Sequence, residues 1–299
     1  TISRRMEELE TRLGARLFLR STRGVTLTQA GQTMHRLASG MARFGESIVR
    51  DVAGKDREEA GRVTIAAPDG VAGFFLMPAL ADFQRANPQI DLALDCGIWP
   101  GTLDNGELDL SLEYSEASAP DLTSTPIAHV HYGVYASPEY ISTYGAPKSF
   151  ADCANHRVVR HSAFREQRGT WNPKTAAVRE LLGAQFITNS SAAMVEAIRS
   201  GAGIGSLPTA IYPSLPDLVM LDLGVTAEPT LWLRHHPTAV ERRRVDRVKD
   251  WLTRVFDPVT KPWFRKEFIH PAEFPKLLAA MQPPRPTAAD APYTGRRTA

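Results

Sequence analysis

Apolar residues recur along the first 56 positions in two helical stripes separated by a short alternating stretch. Ile2, Met6, Leu9 and Leu13 are spaced 4, 3 and 4, which gathers them on one side of a helix while Arg4, Glu7, Glu8 and Thr11 fall on the other. Gly14 is placed to end that helix. Two short β runs follow, Leu17 to Arg20 and Val25 to Thr28, and Gly24 between them supplies the positive φ of a tight reversal. Thr28 then reads as an N-cap. Beyond it Ala30, Met34, Leu37, Met41, Phe44, Ile48 and Val52 recur at 4, 3, 4, 3, 4 and 4, a heptad seam on a helix reaching about Lys55. A long helix with one narrow apolar stripe buries it against a copy of itself; docking on the chain's own globular part is the alternative. "AGKDREEAG" closes the helix as a charged, glycine-bounded hinge.

From Gly61 the period changes. "RVTIAA" predicts a strand, "GFFLMPALADFQRANP" a helix ended by Asn-Pro, and "IDLALDC" and "LDLSLEY" two more strands. "HYGVYA" and "SPEYISTYG" predict a strand and a helix. "QFITNSSAAMVEAIRSGAGIGSLP" predicts a strand, a helix and a short buried strand, and "TLWLRHH" with "VERRRVDRVKDWLTRVF" a last strand and helix. Strands alternating with helices define an α/β body.

Composition narrows the class. A chain of 299 residues, 43% hydrophobic and 23% charged, has material for two or three globular domains. Two cysteines, Cys96 and Cys153, are too few for a disulfide framework, no apolar run spans a bilayer and no secretory leader is recognisable. These features predict a cytoplasmic protein with no membrane partner. The net charge of +2 conceals an asymmetry: residues 1–50 hold nine Arg against four Glu, whereas from Gly61 onward 24 basic residues face 25 acidic ones. Arginine suits bidentate contact with phosphates and base edges, so the N-terminal segment is the candidate for double-stranded DNA, against the plainer reading of a solvated basic face.

"TISRRMEELETRLGARLFLRSTRGVTLTQAG" resembles the recognition helix, wing and linker entry of the LysR-type transcriptional regulators, and the likeness extends from Thr1 to about Phe256. The resemblance implies an α/β fold class with a partial winged helix-turn-helix, a long dimerisation linker helix and a two-lobed, Rossmann-like (periplasmic-binding-protein-like) effector domain. The implied divisions are 1–28, 29–60, 61–256 and a Pro-rich tail at 257–299. Lobe I takes 61–129 plus 230–256 and lobe II takes 130–224, with two chain crossings as the hinge. The two helices that precede the recognition helix in the family are expected to be missing from this sequence.

The same resemblance places Thr1, Ser3 and Arg4 at the major groove and Arg23 on a backbone phosphate. It implies a homodimer through Met34, Leu37, Met41, Phe44 and Ile48, or a homotetramer of two such dimers. A small-molecule effector is expected between the lobes, where strand C-termini meet helix N-termini. Asp69, Gly70 and Val71 in "APDGVAG" and Trp99 in "CGIWPG" are the candidates from one lobe; Trp99 would stack on a ligand or cap the core. The family often carries Ser or Thr where Val71 stands, and Asp69 disfavours a carboxylate ligand. His161, Ser162, Asn189 and Ser190 are the candidates from the other lobe, with ordinary helix capping as the alternative role of Asn189 or Ser190.

Other features carry no chemistry of their own. "GAGIG" precedes a strand and lacks the Lys-Ser/Thr of a phosphate loop, so it reads as a helix end and tight turn. The pairs His129/His131 and His235/His236 have no Cys or carboxylate at ligand spacing, so no metal or other cofactor is expected. Asp109 and Glu113 share a strand face without a nucleophile or partnered base, so no catalysis is expected. A transporter's solute-binding protein or an enzyme on the same scaffold would leave the basic arm unexplained. The tail from Asp257 carries eight prolines in 43 residues and is expected to be mostly extended, with one short helix around Ala272 to Met281 and aromatics that could dock.

Overall fold

The computed structural model describes residues 2–21, 24–35, 37–38, 41, 45, 59–96, 108–115, 121–165 and 184–281. The chain opens with α1 (Ile2–Leu13), which Gly14 ends at φ 63°. The hairpin β1 (Phe18–Ser21) and β2 (Gly24–Leu27) follows in register Phe18↔Leu27 to Ser21↔Gly24. The Glu10 carboxylate ties helix to hairpin by accepting from the Leu17 and Phe18 amides at 2.6 and 3.1 Å. Thr28 caps the next helix, its hydroxyl accepting from the Gly31 amide at 2.9 Å. A Cβ at Gly31 would stand 2.0 Å from the Leu17 carbonyl oxygen, so only glycine lets this helix pack on the turn before β1.

Two compact units make up the fold. Unit 1 comprises Thr1–Thr125 and Trp232–Val255; unit 2 comprises Pro126–Leu231 and Phe256–Ala299. A five-stranded sheet, its β6 and β12 interrupted by the unit boundaries at 125/126 and 231/232, has the order β4-β3-β5-β12-β6: β3 (Gly61–Ala66), β4 (Ile90–Asp95), β5 (Leu110–Glu113), β6 (Thr123–His129) and β12 (Thr230–His235). β3 runs parallel to β4 and β5, and β12 is antiparallel to β5. Val63, Ile65, Leu110, Leu112 and Leu233 are buried on one face. Helices α2 (Met77–Ala86) and α5 (Arg243–Val255) pack against each other, with the Phe83 and Trp251 rings 4.8 Å apart. In α5 the buried Val245, Val248, Trp251, Leu252 and Val255 recur at the helical period that the sequence displays.

The run that leads into α2 begins with one α-turn (Asp69–Val71) and a π-helical stretch, Ala72–Leu76. Pro78 explains it. Its ring has no N–H to give and would clash with the carbonyl of residue 74 in regular α geometry, and the wider turn, closed by the Met77 amide on the Ala72 carbonyl, relieves both.

Unit 2 places β7 (Tyr132–Ala136) between β10 (Gly205–Pro208) and β11 (Val219–Met220), and pairs β8 (Val158–His161) in parallel with β9 (Ala184–Thr188). A bridge from Val158 to Ile204 joins the two pieces. Helices α3 (Pro138–Tyr144) and α4 (Ser191–Arg199) accompany them, and Val134, Ala136, Tyr140, Cys153, Ile204 and Leu221 form a core cluster.

Two features differ from the sequence reading. β6 carries Pro126 and shows no clean alternation, so its pattern does not announce a strand; it is tolerated because β6 is a sheet edge, where a missing N–H interrupts no ladder. Residues 257–281 carry the short helix expected near Ala272 to Met281, as α6 (Phe274–Met281), with Phe264 and Phe274 buried; the difference is that the stretch before it holds 3₁₀ turns at Pro262–Phe264 and Pro271–Glu273 and is not simply extended. The chain consequently crosses between the units three times instead of two, at 125/126, 231/232 and 255/256. Among the described residues no helix is long and apolar enough to cross a membrane.

Candidate functional site

In unit 1 the registers align the ends of the parallel strands. Ala66 stands opposite both Asp95 on β4 and Ser111 on β5, and Ser111 stands opposite Arg234 on β12. Directly paired residues share a sheet face, so Asp95, Ala66, Ser111 and Arg234 form one row across four strands. Arg234 is 8% exposed; its guanidinium donates to Glu113 at 2.6 Å and to the Ser115 carbonyl, and the Ser111 hydroxyl donates to the other Glu113 oxygen at 2.9 Å. The sequence sets Glu113 beside Asp109 and gives no hint of its pairing with Arg234, although an arginine inside the apolar strand "TLWLRHH" is the signal that points to a buried partner.

The Pro68–Asp69 turn lies beyond the end of β3, with Asp69 in the first helical turn and both Asp69 and Gly70 half-buried. The Ala67 amide donates to the Asp95 carbonyl at 3.0 Å, which joins the ends of β3 and β4. Burial first, then Asp69 and Asp95, hold the Cys96 thiol above its ordinary range. Asp69 therefore contributes negative potential at this end. Val71 is 1% exposed, so its side chain is buried in this unit and offers little surface to a ligand. Trp99 lies outside the described residues.

Unit 2 repeats the device with different side chains. His161 ends β8 directly opposite Thr188 on β9, and the exposed Ser162 and Asn189 follow them. His161 is buried, and its Nδ1 accepts from the Ala163 amide at 3.2 Å. Ser190 caps α4, accepting from the Ala193 amide at 3.3 Å, while its own amide donates to the Thr188 hydroxyl at 3.1 Å. The four candidates are thus gathered at one pair of strand ends. "GAGIG" is a helix end with Gly201 at φ 77°, and at Gly203 a Cβ would fall 2.5 Å from the Arg157 carbonyl oxygen.

At the N-terminus Ser3 and Arg4 are exposed on α1, which has no buried residue; Ile2 is 82% exposed. Along the seam Met34 is half-buried, and Leu37 and Met41 are exposed, Met41 by 75%. Thr1, Arg23, Phe44 and Ile48 lie outside the described residues. Asp109 and Glu113 are both engaged structurally: Asp109 accepts from the Thr64 amide at 2.8 Å and pairs with Arg242 at 2.7 Å. His131 is held by the Arg265 carbonyl at 2.9 Å.

A helix with a hairpin wing ahead of two α/β units, each with polar side chains at parallel strand ends, defines a helix-turn-helix protein with a substrate-binding region. The family models agree: residues 56–257 match the LysR substrate binding domain, and residues 1–32 match the bacterial regulatory helix-turn-helix protein of the lysR family. The chain belongs to the LysR-type transcriptional regulators. An HTH-type transcriptional regulator of Xanthomonas campestris pv. campestris is 31% identical over 212 residues, 68% of this chain, and the chain spans 61% of its length. YcaN, an HTH-type transcriptional regulator of Escherichia coli K12, is 32% identical over 218 residues, 69% of this chain and 68% of its own. The Vibrio cholerae virulence activator AphB shares the fold, with a TM-score of 0.59 at 21% identity over 84% of this chain and 88% of its own.

Proposed function

We propose that this chain is a DNA-binding transcriptional regulator, acting in the cytoplasm, whose activity is set by a small molecule taken up at the strand ends of its two α/β units. The observation that carries this reading is the combination, in one chain, of an exposed arginine-bearing helix and the hairpin after it with two units whose parallel strand ends gather polar side chains. Asp69 and Gly70 from unit 1, with Trp99, and His161, Ser162, Asn189 and Ser190 from unit 2 are the effector contacts. Asp69 and Asp95 favour a neutral or cationic ligand over a carboxylate. Ligand binding biases the arrangement of the units and, through the linker helix, that of the DNA-binding arms. No catalysis belongs to this reading, because the carboxylates flanking β5 are committed to Arg242 and Arg234.

The partner along the linker is a second copy: Leu37 and Met41 lie on the same stripe and expose apolar surface that a seam of Met34, Leu37, Met41, Phe44 and Ile48 would bury. The half-exposed apolar side chains of the edge strand β9, Phe186 and Ile187, support a further association into tetramers.

Footprinting with salt titration tests the DNA reading, on a chain carrying the family's two preceding helices ahead of Thr1. Arg23→Ala should weaken binding to every sequence and flatten the salt dependence. Arg4→Ala should cost about 1 to 3 kcal/mol and relax preference at one position in each half-site. Unchanged footprints in both variants would remove Arg4 and Arg23 from the interface. Leu37→Glu with Met41→Glu should abolish the linker dimer and halve the mass in light scattering.

A further inference from the structure

Arginines crowd the start of α5: Arg242 just ahead of it, Arg243 and Arg244 in its first turn, and Arg247 one turn further on. Their partners differ. Arg242 pairs with Asp109 at 2.7 Å. Arg244 is 7% exposed and lies along Gly61, where a Cβ would stand 3.6 Å from its Cδ and Nε. Arg243 and Arg247 are exposed, lie one turn apart on the same helix face, and both reach Glu59. Arg243 donates to the Glu59 Oε1 at 3.1 Å, and Arg247 stands 3.3 Å from the same oxygen. The Arg243 bond first, then Arg247, hold the Glu59 carboxyl below the usual carboxylate range.

Glu59 belongs to "AGKDREEAG", the charged stretch that reads from the sequence as a hinge between the linker and the α/β body. Its last residues are held, and every contact that holds them lies within unit 1. Gly61 is fixed through its backbone: its amide donates to the Gln89 carbonyl at 3.0 Å, it pairs with Ile90 on β4, and its φ of 120° suits glycine. Sheet pairing therefore begins at Gly61, and the Glu59 side chain adds an anchor two residues earlier. The two anchors differ in kind. An exposed ion pair is weak and is screened by salt, so the earlier anchor can open while the sheet pairing stays closed.

We propose that Glu59, Arg243 and Arg247 form an ionic latch that fastens residues 59–60 to the start of α5 and sets where the chain coming from the linker becomes part of unit 1. With the latch closed, a shift of α5 is carried to Glu59. With it open, the hinge gains Glu59 and Ala60 and the shift is absorbed there. The latch lies apart from the effector contacts, and its test uses neither effector nor DNA, so either reading can fail without the other.

A spin label at the exposed position Ala60→Cys, in a chain carrying Cys96→Ser, reads the latch through its rotational mobility. Cys153 is buried, its thiol pushed up to about 11, and stays unlabelled. Glu59→Gln, and separately Arg243→Gln with Arg247→Gln, should each shorten the label's rotational correlation time about threefold, while a label at the exposed Gln84→Cys in α2 keeps its mobility. Salt at about 1 M should free the Ala60→Cys label in the otherwise unchanged chain to a similar degree. Reversing the charges, Glu59→Arg with Arg243→Glu and Arg247→Glu, should restore most of the immobilisation. Unchanged mobility in the neutral variants overturns the latch, because the ion pairs would then hold nothing. Mobility that rises in them but is not restored by charge reversal, or that ignores salt in the unchanged chain, also overturns it and leaves packing as what holds residues 59–60.

Discussion

The two α/β units use the same structural device and fill it with opposite chemistry. In unit 1 the row at the strand ends is ionic: Arg234 and Glu113 are locked to each other and to Ser111 and Ser115, with Asp95 on the same row and Asp69 just beyond β3. In unit 2 the corresponding ends carry an imidazole and hydroxyls, His161, Ser162, Thr188 and Ser190, and of these His161, Thr188 and Ser190 each accept from a neighbouring backbone amide. The difference teaches that parallel strand ends create a place for polar groups without dictating which kind. An ion pair fixes the geometry of one half through charge, and helix capping fixes the other through neutral hydrogen bonds.

The sharpest way to break the comparison is to unbalance the ionic half. Glu113→Ala leaves a largely buried guanidinium without its carboxylate and should cost about 3 kcal/mol in denaturant unfolding. Replacing both partners, Glu113→Leu with Arg234→Met, should recover most of that loss, since an apolar pair has no charge to leave unpaired. A Glu113→Ala protein as stable as the parent would show that the row is solvated and the contrast between units false.

The neutral half should be more forgiving. Ser190→Ala removes the cap of α4 and should cost about 1 kcal/mol in thermal unfolding, with Ser190→Gly milder. An effect as large as that of Glu113→Ala would make the two ends energetically alike.

The smallest effect probes the charge itself. Burial and the neighbouring Asp69 and Asp95 keep the exposed Cys96 thiol protonated to higher pH than an ordinary thiol, so its thiolate fraction at pH 8 is reduced. Asp69→Asn removes one negative charge, lowers the thiol's pKa and should speed alkylation by about twofold. Cys153, buried and raised to about 11, provides the unreactive internal standard. An unaltered Cys96 rate would place Asp69 away from the unit 1 strand ends.

Much of this molecule was legible along the chain. The periods of 3 to 4 in Ile2–Leu13 and Val245–Val255, the Thr28 and Ser190 caps and the glycines at positions 14 and 24 are local effects, set within one or two turns of backbone, and each element forms where its pattern predicts. The convergence of His161 with Ser190 was also readable, because parallel strands followed by helices bring such residues together by topology. What the sequence alone did not reveal depends on partners far away in the chain. Arg234 meets Glu113 across 121 positions, and His131 meets Arg265 across 134. Val71, one of the positions proposed for a ligand from its place in the chain, is 1% exposed, a burial that depends on packing no local pattern displays. The proline-rich stretch after Asp257 reads as extended apart from one short helix and aromatics able to dock, and where Phe264 and Phe274 are buried is decided by unit 2, whose Thr209–Ser214 turn meets both 3₁₀ turns of the segment. Local pattern determined the elements; burial and charge pairing over long separations decided which of them meet.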